Sequence, residues 1–133
     1  MNLLPPNKYI VIDPCYVLTD EVYDKMIDQS IISSQPQLID LNGDGKPMMV
    51  CSTMYGDGYY ESNLGVYFPV DSGQIAVIPL ESCDSDALND AWNQQHSFLI
   101  EGEINFDYDT LDGTFTVNHL EIYTGGLDSD EEE

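Results

Sequence analysis

Arginine is absent from the 133 residues, and lysine occurs only at Lys8, Lys25 and Lys46. A site that handles phosphate usually needs a guanidinium fork or several ammonium groups. The chain therefore does not read as a kinase, a nuclease or a nucleotide-binding protein, and it has no basic patch to offer nucleic acid. Cysteine is also scarce. Cys15, Cys51 and Cys83 are too few and too scattered for a disulfide framework. No CxxC or HxxxH pair is present, so no structural zinc is expected. Nothing approaches 18 consecutive apolar residues, so no membrane-spanning helix and no membrane partner is expected. The stretch MNLLPPNKYIVID lacks the basic and apolar regions of a secretory signal. A cytoplasmic protein without a cofactor is expected.

What the chain has in excess is acid. Aspartate and glutamate total 25, and the formal net charge is −22. The end of the chain, DSDEEE, holds five of those acids, so most of the charge belongs to the body. Such a field repels nucleic acid and anionic membranes and attracts basic surfaces. Acidity of this degree also accompanies disorder, but nine tyrosines, four phenylalanines and a tryptophan sit among alternating apolar runs. The expectation is one folded domain over residues 1–124 and a disordered acidic tail over 125–133.

The pattern predicts an α+β fold: a mostly antiparallel sheet of about six or seven strands with two short helices. KYIVID is a strand that Asp13-Pro14 ends. Thr19 caps a helix over 20–29, with Val22, Met26 and Ile27 on one face. QLIDL is a strand, PMMVCSTMY is a central strand, and YGDGYYESN is a turn. GVYFPVD and QIAVIPLE are strands whose link, Ser72-Gly73, reads as a hairpin turn. Ser85 caps a second helix that buries Leu88, Ala91 and Trp92. FLIEGEINFDYD and GTFTVNHLEIYT form a hairpin around Asp112-Gly113.

Three segments carry candidate chemistry. In DLNGDG, Asp40, Asn42 and Asp44 alternate as in the first half of an EF-hand, which makes them weak metal-ligand candidates. The twelfth position of that loop should be a bidentate glutamate, and here it is Cys51. A hairpin turn explains the segment better. Cys15 beside Asp13, with His96 or His119 as base, is the enzymatic candidate. It has no local signature, and a lone cysteine at a strand end is more often a small buried hydrophobe. Carboxylate pairs are uninformative in so acidic a chain.

The third segment is the acidic strand. Phe98, Ile100, Ile104, Phe106 and Tyr108 share one face, and Glu101, Glu103, Asp107 and Asp109 share the other. Alternate residues of a strand stand about 6.8 Å apart, so these acids form a spaced row. B-DNA also carries charge at regular short intervals, roughly 3.4 Å along each strand. Asp84, Asp86 and Asp90 add acid on the second helix.

KYIVIDPCYVL, MYGDGYY and GVYFPVDSGQIAVIPLE together resemble a group of small bacteriophage proteins of uncharacterised activity. The shared features are Asp13-Pro14-Cys15-Tyr16, Gly56-Asp57-Gly58-Tyr59 and Val70-Asp71-Ser72-Gly73. The resemblance covers roughly residues 8–80 and implies a phage origin and a common scaffold, with no catalytic residue to carry over. In size and charge the chain is also similar to phage DNA-mimic inhibitors. The expected function is a non-enzymatic DNA mimic, acting in the infected host cell. Its partner would be a basic host protein: a nuclease, a restriction enzyme, a glycosylase or a nucleoid-associated protein. Glu101, Glu103, Asp107, Asp109, Asp84, Asp86 and Asp90 would make the contacts. The alternative is a small calcium-binding or structural phage protein. Calorimetric titration with calcium at physiological salt is expected to show no binding tighter than about 10 μM. Tighter binding, abolished by Asp40→Ala with Asp44→Ala, would establish the alternative.

Overall fold

The computed structural model of the protein describes residues 2–29, 36–40, 43, 45–53, 56–109 and 111–124. The strand at KYIVI is longer than its pattern suggests: β1 runs Asn2–Ile12. Its register on β7 (Phe98–Tyr108) shifts between Leu4 and Asn7. Pro5 and Pro6 occupy that interruption, where a residue without an N–H costs the ladder little. Tyr9, Ile10, Val11 and Ile12 are all buried, as expected of a strand covered on both faces.

The other strands are β2 (Gln37–Ile39), β3 (Met48–Ser52), β4 (Gly58–Glu61), β5 (Tyr67–Val70), β6 (Gln74–Pro79), β8 (Thr114–Val117) and β9 (Leu120–Tyr123). Seven of them form one sheet in the order β2-β3-β6-β1-β7-β8-β9, and β4 and β5 form a separate pair. Every pairing is antiparallel. The α+β class is as expected, with three short helices: α1 (Asp20–Gln29), α2 (Ser85–Leu88) and α3 (Ala91–Gln95).

Several local expectations are corrected. The centre of the sheet is β1, and β3 lies next to the edge. YGDGYYESN is not all turn, since its middle is β4. The last segment is two strands, because Asn118 adopts a left-handed φ of 54° and turns the chain between β8 and β9. Asparagine tolerates that conformation better than most residues. The second helix is two helices capped by Asp84 and Asp90, whose carboxylates accept from Ala87 N and Trp92 N. Ala91 and Trp92 are exposed there, not buried, and Ile27 on α1 is 41% exposed. The expected tail at 125–133 lies outside the described residues.

The largest correction concerns Ser72-Gly73. β5 and β6 do not pair with each other. β5 pairs with β4, and β6 lies between β1 and β3. Residues 71–73 are a corner between two sheets, and Asp13 holds it. The Asp13 side chain is fully buried. Its Oδ1 accepts from Cys15 N at 2.9 Å and Ser72 Oγ at 2.7 Å. Its Oδ2 accepts from Asp71 N at 2.6 Å and Ser72 N at 2.8 Å. A buried carboxylate is tolerable only when its lone pairs are met in this way.

That corner sends β4–β5 across one face of the main sheet. Tyr60, Phe68 and Val70 pack there on Tyr9, Val77, Phe115 and their neighbours. The opposite face is covered over β3, β6 and β1 by Val17, Leu18 and Met26, which meet Ile10, Val50 and Ile78. Among the described residues this cover ends at β1.

Asp13→Ala would leave several buried donors without an acceptor, at about 1–3 kcal/mol each. Denaturant unfolding should therefore show a loss of at least about 3 kcal/mol. Asp13→Asn keeps one acceptor oxygen and should lose roughly half as much. A loss below about 1 kcal/mol for the alanine variant would show that the corner does not depend on this carboxylate.

Candidate functional site

The acidic row stands on the face of β7, β8 and β9 that no element covers among the described residues. Along β7 the burial alternates, with Ile104, Phe106 and Tyr108 inside and Glu101, Glu103, Asn105 and Asp107 outside. Asp107 lies across from Thr116, and Thr116 across from Glu121. Glu121 is exposed on the same face, an addition that strand-by-strand reading missed because the β8–β9 turn was not visible in the pattern. Neighbouring strands are about 4.8 Å apart, so Asp107 and Glu121 are separated by roughly twice that distance.

Local contacts qualify the row. Lys8 is directly across from Glu101 in the β1–β7 register, so the first carboxylate has a cation for a neighbour. Asp109 lies just past the strand, and its carboxylate accepts from Leu111 N at 2.8 Å. It serves the turn as well as the charge. Asp107 accepts from Tyr108 N at 2.9 Å, and Glu121 accepts from the Tyr123 hydroxyl at 3.2 Å. Lys46 is paired elsewhere, with Glu81 at 2.7 Å. Hydrogen bonds from Asn7 and Lys46 hold the Glu81 carboxyl below its usual range.

Asp84, Asp86 and Asp90 are separated from this row. A groove of about 630 Å³ runs between the helices and β7, lined by Leu88, Asn89 and Gln94 on one side and Phe98 and Leu99 on the other. Asp84 and Asp90 are occupied as helix caps. Asp86 is exposed in the first turn of α2. Among the described residues the groove has no titratable side chain in its lining. Leu99, 65% exposed, stands on its rim beside Glu101.

The other candidates dissolve into structure. Asp40 closes the loop between β2 and β3: its carboxylate accepts from Gly45 N at 3.0 Å and its carbonyl from Gly43 N at 3.4 Å. Asn42 and Asp44 lie outside the described residues, and Cys51 is buried in β3. Among the described residues no three His, Cys, Asp or Glu side chains gather as metal ligands would.

Cys15 is at the Asp13 corner. Burial, then its hydrogen bond to Asp13 and the charges of Asp13 and Asp71, push its thiol up to about 12. Burial does the same to Cys51 and Cys83, each pushed up to about 12. These are thiols at neutral pH, not thiolates, and only the thiolate is a nucleophile. Neither histidine is bonded to Cys15 among the described residues. His96 Nδ1 donates to Trp92 O, and His119 stands in the β8–β9 turn.

The three motif turns of the phage resemblance meet at one place. Asp13 binds Asp71 and Ser72, and Gly73 approaches Gly56 and Asp57. Tyr60 donates to Gly56 O at 2.9 Å, and a Cβ at Gly58 would come within 2.8 Å of the Tyr60 ring. They form a structural corner. Beside it sequence reading missed an exposed row of aromatic rings, which only the tertiary structure assembles. No family model, no curated protein and no solved structure matches the chain.

With thiols raised this far, iodoacetamide should alkylate the folded protein at pH 8 at least about tenfold more slowly than the urea-unfolded chain. Rapid modification of Cys15 in the folded state would restore the nucleophile reading.

Proposed function

We propose that this is a phage-encoded, non-enzymatic protein that imitates the charged surface of DNA and occupies the nucleic-acid cleft of a basic host protein. The partner is a nuclease, a restriction enzyme, a glycosylase or a nucleoid-associated protein. One observation carries the reading: the face of β7–β9 that no other element covers among the described residues presents Glu101, Glu103, Asp107 and Glu121. A cleft built for phosphates meets them with lysine and arginine, and carboxylates at strand spacing can meet the same groups. Leu99 at the head of the row adds an apolar contact that DNA phosphates do not offer. Raised thiols and a groove without titratable lining lend no support to catalysis. The calcium alternative is weakened because Asp40 is engaged within its own loop.

The test is capture from a bacterial lysate by the immobilised full chain, with and without competing duplex DNA. The comparison is a variant with Glu101→Gln, Glu103→Gln, Asp107→Asn and Glu121→Gln. These side chains are exposed, and the amides keep an acceptor oxygen for Tyr108 N and the Tyr123 hydroxyl, so the variant should fold and melt near the wild-type temperature. Basic DNA-binding proteins should be retained by the wild type, released by DNA and by added salt, and held at least about tenfold more weakly by the variant, equivalent to 1.4 kcal/mol. Equal retention by the variant, or a partner that holds DNA and this protein together, would rule the mimic out.

A further inference from the structure

Five side-chain rings make a continuous row across the surface beside the Asp13 corner. Tyr67 and Tyr59 stack at 5.1 Å with their planes 15° apart. Tyr59 meets His96 at 6.1 Å, His96 lies 4.4 Å from Trp92, and Trp92 meets Tyr16 edge-on at 5.1 Å. Three parts of the chain contribute: the β4–β5 pair, the α3 segment and the turn after β1. Burial would normally claim rings of this size. Instead Tyr59 is 52% exposed, Trp92 44% and Tyr67 40%.

Carboxylates edge the row. Tyr67 donates to Glu61 at one end, and Tyr16 donates to Asp71 at the other. Asp90 accepts from Trp92 N between them. No lysine contacts any of these rings among the described residues. An aromatic face attracts a cation through its quadrupole, and adjacent carboxylates strengthen that attraction. A flat cation that stacks on a ring and donates hydrogen bonds from its edge suits the arrangement better than a compact ammonium does. Exposed tyrosine and tryptophan are also the side chains that anchor protein interfaces most strongly.

We infer that this row is a docking surface for an arginine-bearing segment of the basic partner, with guanidinium groups stacked on Trp92 and Tyr59 and bonded to Asp71 and Glu61. The inference rests on the proposed function for the partner's basic character, but not for the surface used. Tyr59 and Tyr67 belong to the layer that covers the face opposite to Glu103 and Asp107.

Trp92 is the chain's single tryptophan, so its fluorescence reports on the row. The full chain is titrated with an oligo-arginine peptide and with an oligo-lysine peptide of equal length, at roughly 0.15 M salt. The arginine peptide should perturb Trp92 emission and bind at least about fivefold more tightly than the lysine peptide. Tyr59→Ala with Tyr67→Ala should abolish that preference. The sheet-face variant with Glu101, Glu103, Asp107 and Glu121 neutralised should weaken both peptides and keep the preference. Equal binding of the two peptides by the wild type would mean attraction by net charge alone and would overturn the inference, whatever the folding of the tyrosine variant. A neutral oligosaccharide that perturbs Trp92 where the arginine peptide does not would also overturn it. The arms separate the two readings: retained arginine preference with lysate capture insensitive to sheet-face neutralisation sinks the DNA mimic and leaves the row standing.

Discussion

Asp13 carries a charge into the interior with no lysine paired to it among the described residues. Desolvating a carboxylate costs several kcal/mol unless its oxygens are satisfied. Cys15 N, Asp71 N, Ser72 N and Ser72 Oγ supply what water would have supplied. This demand shapes the rest of the molecule. It pins the end of β1 to the corner between β5 and β6, so β5 leaves the main sheet and carries β4 with it. The small second sheet then closes one face of the core with Tyr60, Phe68 and Val70.

Once that face is closed, the helices have only half of the other face to cover. Val17, Leu18 and Met26 reach over β6 and β3, and β7–β9 are left open. A sheet face open to water must be polar, and here it is acidic. Its outer edge is blunted as well: Asn63 N donates to Glu121 O, and Asn63 Oδ1 accepts from Glu121 N. Such capping discourages strand addition at β9.

A chain with net charge −22 stores self-repulsion that opposes compaction. Part of that acid is used structurally, in the caps formed by Asp84 and Asp90 and in the turns held by Asp13, Asp40 and Asp109. Other carboxylates hold side chains, as Asp71, Glu61 and Glu81 do, or stand exposed, as Glu101 and Glu103 do. The half-exposed rings at Tyr59, Tyr67 and Trp92 likewise forgo about half of the burial that is worth roughly 1.5–3 kcal/mol for a large side chain. Both features cost stability.

What the sequence by itself determined was local. Alternation along Phe98–Tyr108 assigned Ile104 and Phe106 to the core and Glu103 and Asp107 to solvent, because a strand's period of two is a property of its own backbone. The helix over 20–29 and the hairpin at Asp112-Gly113 were legible for the same reason. Tertiary structure decided everything that depends on which segments meet. Ser72-Gly73 has the chemistry of a hairpin turn, yet Asp13, 58 residues away from Asp71, makes it a corner. Trp92 has the composition of a core residue, but α3 turns it outward, where it joins rings from Tyr16 and Tyr59. Periodicity is encoded in neighbours along the chain. Pairing, coverage of a face and the company of an aromatic ring depend on contacts between distant segments, and these form only when the whole chain has folded.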